Sequence, residues 1–312
     1  MENFVILDIG SNSVRMAINQ IESDGSYREV KRVKNDSRLS EGMGQEKLLR
    51  SAAMKRTISA LQNFQDVYKD YPNAHVKVIA TAAVRQANNQ AAFLKQVRDT
   101  LGLQIKILSG NQEAYYDYLG VVNSIKTPNY ILVDIGGASM ELVFVQNHKK
   151  KNLISLPMGA VSLSEHYHLS SQISAADLFN AECYIQQELN RVFWLKWAYR
   201  YPLVLLGGAT RALARINQHH QHLNRAHRLN HYQLKQHQVL KTFEMLVDRD
   251  NEQRKQISGL ESDRADIIVG GLLPLVSIIN RINSKQVIFA DSGVREGLIN
   301  EYLHHRKLNQ KH

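Results

Sequence analysis

The sequence predicts an α/β protein of two similar lobes facing a cleft, and three observations carry that prediction. First, FVILDIGSNSVRMAI at 4–18 returns as YILVDIGGASMELVF at 130–144. Asp8 falls on Asp134, Gly10 on Gly136 and Ser13 on Ser139. Second, the pattern of periodicities runs strand-strand-strand-helix-strand-helix-strand-helix, and begins again at Tyr130. Third, Pro128 breaks the pattern within 124–129, where a linker is expected. The expected lobes are residues 1–125 and 126–312, with the C-terminal helix, 295–312, packing back on the first. Two such turns facing each other would enclose a ligand site.

Residues 4–34 read as three strands, with turns at 10–13 and 23–26, because apolar runs alternate with Gly, Asn, Asp and Ser. The spacing of Leu48, Leu49, Ala52, Ala53, Ile58, Leu61 and Phe64 predicts a helix over 45–69. VKVIATAAVR at 76–85 reads as a strand entering a loop that carries Arg85. A helix over 89–101 is expected to end at Gly102 as its C-cap. IKILSG at 105–110 is a strand, and NQEAYYDYLGVV starts the next helix. In the second unit, helices are expected near 174–198 and 231–248, with a strand at 201–208. VIFADSGVREGLINEYL at 287–303 gives a last strand, a turn and the terminal helix.

The repeated turn has the chemistry of an oxyanion site. Glycine permits positive φ and close approach of a ligand to the backbone, and successive backbone N–H groups form a concavity for phosphate oxygens. Ser11, Asn12 and Ser13 add side-chain donors in the first copy, and Ser139 in the second. The copies then diverge. Seven residues after the aspartate, one has Arg15 and the other Glu141. Alternation puts each on the face of its serine. Arg15 offers a planar fork for phosphate. Glu141 and Asp134 offer hard oxygen ligands of the kind Mg²⁺ takes. One turn is thus suited to an anion and the other to a cation.

Composition narrows the class. Hydrophobic content of 44% and charged content of 22% are those of a globular chain. No apolar run reaches spanning length, so no membrane partner is expected. MENFVILDIG is not a signal peptide, and the single Cys183 fits a reducing cytoplasm. Cys183 itself is expected to be a small buried residue. The net charge of +10 favours polyanions such as polyphosphate or phosphorylated nucleotides. Nucleic acid would rest on charge alone and is not expected. His148-Lys149-Lys150-Lys151 reads as a hairpin loop. His219, His220, His222, His227, His231 and His237 follow no metal-ligand spacing.

Several motifs in order resemble the exopolyphosphatase and guanosine pentaphosphate phosphohydrolase family. They include DIGSNSVRM at 8–16, RLSEGM at 38–43, ATAAVRQANN at 80–89, SGNQEA at 109–114 and DIGGASMEL at 134–142. LPMGAVSL at 156–163, LLGGATRALA at 205–214, SDRADIIVGG at 262–271 and SGVREGL at 292–298 continue the series. The resemblance is to the short, two-domain form. It implies the actin, Hsp70 and sugar-kinase architecture: two ribonuclease H-like domains, each a mixed five-stranded sheet flanked by helices, with an interdomain cleft. It also implies a Mg²⁺-dependent hydrolase, with Mn²⁺ as the alternative metal. The substrate would be inorganic polyphosphate or guanosine pentaphosphate.

Residue by residue, the resemblance makes Glu113 the catalytic base, with Asp134 and Glu141 as the other catalytic carboxylates. Asp8, Asp134 and Glu141 form the implied metal set. Ser11, Asn12, Ser13, Arg15, Arg38 and Arg85 would hold phosphates from the first lobe. Gly136, Gly137, Ser139, Gly207 and Gly208 would do so from the second. Arg264, Asp266, Arg295 and Glu296 read mainly as structural. A homodimer is the general default for such a chain. The chain departs from the family pattern at Gln112, Ala138, Met140 and Ala209. Each is expected to remove a phosphate donor or narrow a turn, which makes a weakly active polyphosphate-binding protein the further alternative.

Overall fold

The N-terminal apolar runs fold as a meander of β1 (Glu2–Ile9), β2 (Val14–Ile21) and β3 (Tyr27–Asn35). In the computed structural model, which describes residues 2–222 and 229–309, two more strands join them in parallel. These are β4 (Ala74–Ala80) and β5 (Ile105–Ile107). The sheet order is β3-β2-β1-β4-β5. The second copy gives β6 (Tyr130–Ile135), β7 (Met140–Gln146), β8 (Lys149–Leu156) and β9 (Leu203–Gly207). With β10 (Gln233–Lys235) and β11 (Gln286–Phe289) the order is β10-β11-β9-β6-β7-β8. Strands β8-β7-β6-β9-β11 repeat the first sheet's arrangement. The sixth strand, β10, comes from the start of the segment expected to be helical over 231–248.

The central strands are buried on both faces, as their near-continuous apolar runs require. On one face of the first sheet, Val5, Leu7 and Ile9 pack with helices α1 (Ser51–Tyr68) and α3 (Gln90–Leu101). Gly102 caps α3 in the left-handed region, at φ 69°. Between β4 and α3 the chain forms a short helix, α2 (Ala82–Gln86), where a loop was expected, so Arg85 is helical. The first helix begins at Ser51 rather than 45, the preceding residues forming turns.

Two helices join the sheets. Helix α4 (Gly110–Val121) packs Ala114 and Val121 against Leu132, Val143 and Val204 of the second sheet. Its Tyr116 faces the first sheet, beside Phe4, Ile6 and Ile79. Helix α11 (Val294–Asn309) completes that layer through Leu298 and Ile299, and Tyr302 stacks on Phe4 at 4.3 Å.

The other face of the second sheet is the larger core. Its helices are α5 (Ala160–His166), α6 (Ala175–Asn190), α7 (Gly208–His220), α8 (Gln236–Val247), α9 (Asn251–Lys255) and α10 (Ile268–Ile282). The sequence pattern marks no helix at α5, α7, α9 or α10. Helix α10 is apolar over most of its length, with Asn280 and Arg281 exposed near its end, and contains Gly270, Gly271 and Pro274, so its polar face is narrow and it carries two breaker types. It is helical because it is almost wholly buried. Helix α6 stops at Asn190, and 193–198 is a 3-10 turn. Cys183, read as buried, is exposed on α6. The lysines 149–151 open strand β8, and the hairpin turn is Asn147-His148, both at positive φ. His227 lies outside the described residues.

The α4–α11 contact depends on glycine. A Cβ on Gly297 would lie 2.1 Å from the Tyr116 carbonyl oxygen, and one on Gly120 2.4 Å from that of Gly293. Both obstacles are backbone, so Gly297→Ala must separate the helices. The expected loss is about 1–3 kcal/mol, read from urea unfolding. A variant as stable as the parent would show that α11 does not dock this closely.

Candidate active site

The two copies of the repeat fold into the same turn. Gly10 N–H donates to the Ser13 carbonyl at 3.1 Å, and Gly136 N–H to the Ser139 carbonyl at 3.0 Å. Neither glycine has positive φ. Their use is space: a Cβ would sit 3.0 Å and 3.2 Å from those carbonyls. The turns also meet. A Cβ on Gly137 would fall 2.7 Å from the Ser11 Cβ, so the absent side chain lets the lobes abut. Beside this contact lies a cavity of about 130 Å³, lined from both lobes.

Strand register sets the charge pattern at its rim. Arg15 is opposite Asp8 across β1–β2, and Glu141 is opposite Asp134 across β6–β7. The carboxylates crowd together in a buried place. Burial raises Asp8 above its ordinary range, with Arg15 opposing. Burial raises Asp134 to about 6, with Arg211 and Arg15 opposing. Glu113 is pushed up to about 7 by burial, even though it accepts a 2.9 Å hydrogen bond from Arg85 Nη1. Glu141, 2% exposed, is raised by burial and by Glu113, while Ser155 Oγ donates to it at 2.7 Å. Asp134 Oδ1 is buried without a hydrogen-bond partner.

The arginines are the counterpart. Arg15, Arg211, Arg264 and Arg295 all line the cavity. Arg264 reaches Glu261 at 3.3 Å. Arg15, Arg211 and Arg295 form no salt bridge with any described residue, and Arg295 Nη1 is buried without a partner. Burial and the charge of Arg15 bring Arg211 down to about 10. The start of α7 also faces the cavity through Gly207, Gly208 and Ala209, a place where free N–H groups and the helix dipole favour an anion. Gly207 has φ 103°, which glycine tolerates. A Cβ on Gly208 would lie 2.4 Å from Arg264 Nη1, so only glycine lets that guanidinium lie against the helix start.

Most sequence-predicted residues converge here. Asp8, Ser11, Asn12, Ser13, Arg15, Glu113, Asp134, Gly136, Gly137, Ser139, Gly207 and Gly208 all line the cavity. Three do not. Glu141 lies behind it, held by Ser155 and 4.0 Å from Arg85. Arg85 is turned to Glu113 and the Leu108 carbonyl. Arg38 bridges the lobes, paired with Asp266. Arg264, Arg295 and Glu296, read mainly as structural, line the cavity instead. Sequence reading also passed over Arg211 and Asp117. Arg211 stands three residues past Gly208, in the first turn of a helix. Asp117 is one turn from Glu113 on α4, a spacing that puts both on one face. It is 1% exposed, and burial raises it well above its ordinary value.

The model of the Ppx/GppA phosphatase family matches residues 17–306. The chain belongs to that family. A solved exopolyphosphatase from Cytophaga hutchinsonii shares the fold, with a TM-score of 0.89 and 20% identity over 97% of this chain and 98% of that one. The Aquifex aeolicus Ppx/GppA family member matches with a TM-score of 0.78 and 26% identity, covering 100% of this chain and 99% of that one. The coarse function is therefore that of a phosphatase, a hydrolase.

Three of the chain's four departures from the Ppx/GppA pattern turn away from the cavity. Gln112 is the N3 residue of a capping box: Ser109 N–H donates to its Oε1 at 2.9 Å, and its own N–H donates to Ser109 Oγ at 3.2 Å. Glu and Gln both serve there. Met140 is 0% exposed in the second core, because alternation points Ser139 and Glu141 the other way. The Ala138 side chain lines a separate pocket. Ala209 does line the cavity, and it also packs on α10, where a Cβ on Gly271 would come within 2.5 Å of its own.

The raised carboxylates make stability pH-dependent in a definite direction. Glu113 at about 7 and Asp134 at about 6 hold protons more tightly folded than unfolded. That stability is complete below pH ~4 and is lost as pH rises through 6–7. Unfolding in EDTA is expected to become easier across that window by on the order of 1–3 kcal/mol. Glu113→Gln should flatten the profile; a flat profile for the parent would contradict the burial of these groups.

Proposed function

We propose that the protein is an exopolyphosphatase, releasing terminal orthophosphate from inorganic polyphosphate. The observation that carries this reading is the set of arginines without carboxylate partners, Arg15, Arg211 and Arg295, around a cavity that also holds Asp8, Glu113 and Asp134. Arg295 is buried and Arg15 and Arg211 are half-buried; cations so enclosed without partners are costly, and a polyanion would relieve them. Glu113 is the base. At about 7 its carboxyl is matched to neutral pH, where it exists in both forms. It takes a proton from water as the water oxygen bonds to the terminal phosphorus. The bridging P–O bond breaks, and the shortened chain leaves with the electron pair. Arg85 holds the Glu113 carboxylate in place, and Glu141 in turn holds Arg85.

The residues present fit a divalent cation. Asp134 Oδ1 is buried and unpartnered, and Asp8 lies across the cavity. Among the described residues no three His, Cys, Asp or Glu form a metal-binding group. A Mg²⁺ ion here would take one or two carboxylates and complete its shell from water and phosphate, its usual habit. Bound so, it would neutralise phosphate oxygens. Mn²⁺ suits the same oxygen donors.

A second reading has one observation in its favour. A pocket of about 700 Å³ lies between the lobes, lined by Met43, Ala138, Leu163, Tyr167 and Tyr184 among others. Its size and apolar walls suit a ring-bearing group, as a guanosine pentaphosphate substrate would require. The reading of a weakly active binding protein loses support, since Gln112, Ala138 and Met140 direct no side chain into the cavity.

The test is phosphate release from long-chain polyphosphate with Mg²⁺. Glu113→Gln is expected to lose 10²–10⁴-fold in kcat; equal release would remove Glu113 from the mechanism. Guanosine pentaphosphate added in competition separates the two substrates. Arg211→Met should weaken tripolyphosphate binding in EDTA by about tenfold or more, the scale of one charged hydrogen bond. Unchanged binding would place the chain elsewhere.

A further inference from the structure

Both tryptophans of the chain lie in one short segment far from the cavity, RVFWLKWAYRY at 191–201. The 3-10 turn Phe193–Ala198 is pinned by Trp194, Leu195 and Ala198, each 4% exposed or less. Trp194 stacks on Phe144 at 5.9 Å. The turn therefore holds its other side chains outward on a rigid base. Phe193 is 62% exposed, Trp197 52% and Tyr199 59%. Phe193 and Trp197 meet edge to face at 5.5 Å. Lys196 Nζ stands 6.0 Å from the Trp197 ring and Arg200 5.7 Å from that of Tyr199. Lys285 Nζ donates to Asn283 Oδ1 at 2.5 Å, and the Asn283 amide donates to the Tyr199 hydroxyl. No acidic residue occurs within 191–201.

We infer that this ridge is a docking surface for an anionic phospholipid bilayer. Exposed Trp, Tyr and Phe beside Lys and Arg are what the headgroup layer accommodates: the rings enter the interface and the cations meet lipid phosphate. Size and charge favour this occupant over others. Three aromatics a little over half exposed offer on the order of 300 Å², well short of the roughly 800 Å² per partner of a stable protein interface. A second copy would bring the same cations against these, on a chain of net charge +10. Lys196 and Arg200 occupy positions over the Trp197 and Tyr199 rings, where a nucleic-acid base would have to stack. No described helix is long and apolar enough to cross a membrane; the expectation of no membrane partner rested on spanning length alone and does not bear on contact at the surface.

Docking would leave the cavity open. Ile267 lines the cavity, and α10 runs from the next residue to Ile282, 15 residues or about 22 Å. At its far end the Ile282 carbonyl accepts from Arg200 N–H at 2.7 Å, and Asn283 Nδ2 donates to the Tyr199 hydroxyl at 2.9 Å. Ridge and cavity thus sit at opposite ends of one helix.

Trp197 provides the readout, since Trp194 is already buried. Vesicles with half phosphatidylglycerol should shift tryptophan emission to the blue and carry the protein down on sedimentation. Phosphatidylcholine vesicles should do neither. Trp197→Phe should abolish the shift, and Lys196→Glu with Arg200→Glu should weaken partition at least tenfold, both with phosphate release unchanged. Absence of sedimentation with anionic vesicles overturns the inference. So does an equal shift with phosphatidylcholine, with tripolyphosphate or with oligouridylate. Concentration-dependent self-association abolished by Trp197→Glu would assign the ridge to a second copy instead.

Discussion

The contact between two glycine turns governs this molecule. Gly137 meets Ser11 with no room for a Cβ between them, and every functional distance follows from that approach. Strands β1 and β6 end at this point, one delivering Asp8 and the other Asp134. Helix α5 is tied to the same turn: the Ala160 and Val161 N–H groups donate to the Gly136 and Gly137 carbonyls at 2.9 and 2.8 Å. A bulkier residue at Gly137 would part the lobes and separate the carboxylates of one from those of the other. The constraint is steric, so it needs no ligand to enforce it. Arg38 and Asp266 add an ion pair across the same junction.

Charge is arranged against electrostatic ease. Five carboxylates and several arginines are buried close together, yet few of them pair. Ion pairs among them would satisfy both and leave nothing for a substrate. The geometry avoids this through register. Asp8 and Arg15 face each other across β1–β2 without coming within salt-bridge distance, and Asp134 faces another acid. The folded state therefore holds arginines without carboxylate partners and carboxylates that burial drives toward their protonated forms. A phosphate chain with a divalent ion would relieve both at once, which is why the repeat's one substantive divergence, arginine against glutamate, matters more than its similarities.

The fold was largely legible, and the parts that were not share a cause. The repeat, the helix-capping glycine at 102 and the placing of Arg15 on the face of Ser13 follow from local patterns that the three-dimensional structure preserves. Helix α10 and strand β10 do not. The first is helical because it is enclosed over most of its length, and the second is a strand because β11 lies beside it; neither reason is written locally. Site residues divide likewise. A serine or glycine in a turn announces itself. Arg211 looks like any helix arginine until α7 is aimed at the cavity. Ala138 and Met140 looked like losses because a motif read as a string has no faces. Once alternation along β7 is applied, Met140 belongs to the core and only Ser139 and Glu141 face the cleft side.

Glu113 shows how these layers combine. Its place in the first turn of α4 is fixed by the Ser109–Gln112 capping box, so the residue that looked like a missing acid instead sets the helix that carries the proposed base. Arg85 donates to it at 2.9 Å, which alone would hold the carboxyl far below neutrality. Burial and the charges of Asp134 and Asp8 act in the opposite sense and prevail. A base needs both influences: without Arg85 the group would stay protonated at neutral pH, and without burial it would bind protons too weakly to draw one from water. Helix α4 lies between the two sheets and touches both. The position of Glu113 therefore rests on packing in both lobes, on Leu132, Val143 and Val204 of one and on Phe4, Ile6 and Ile79 of the other.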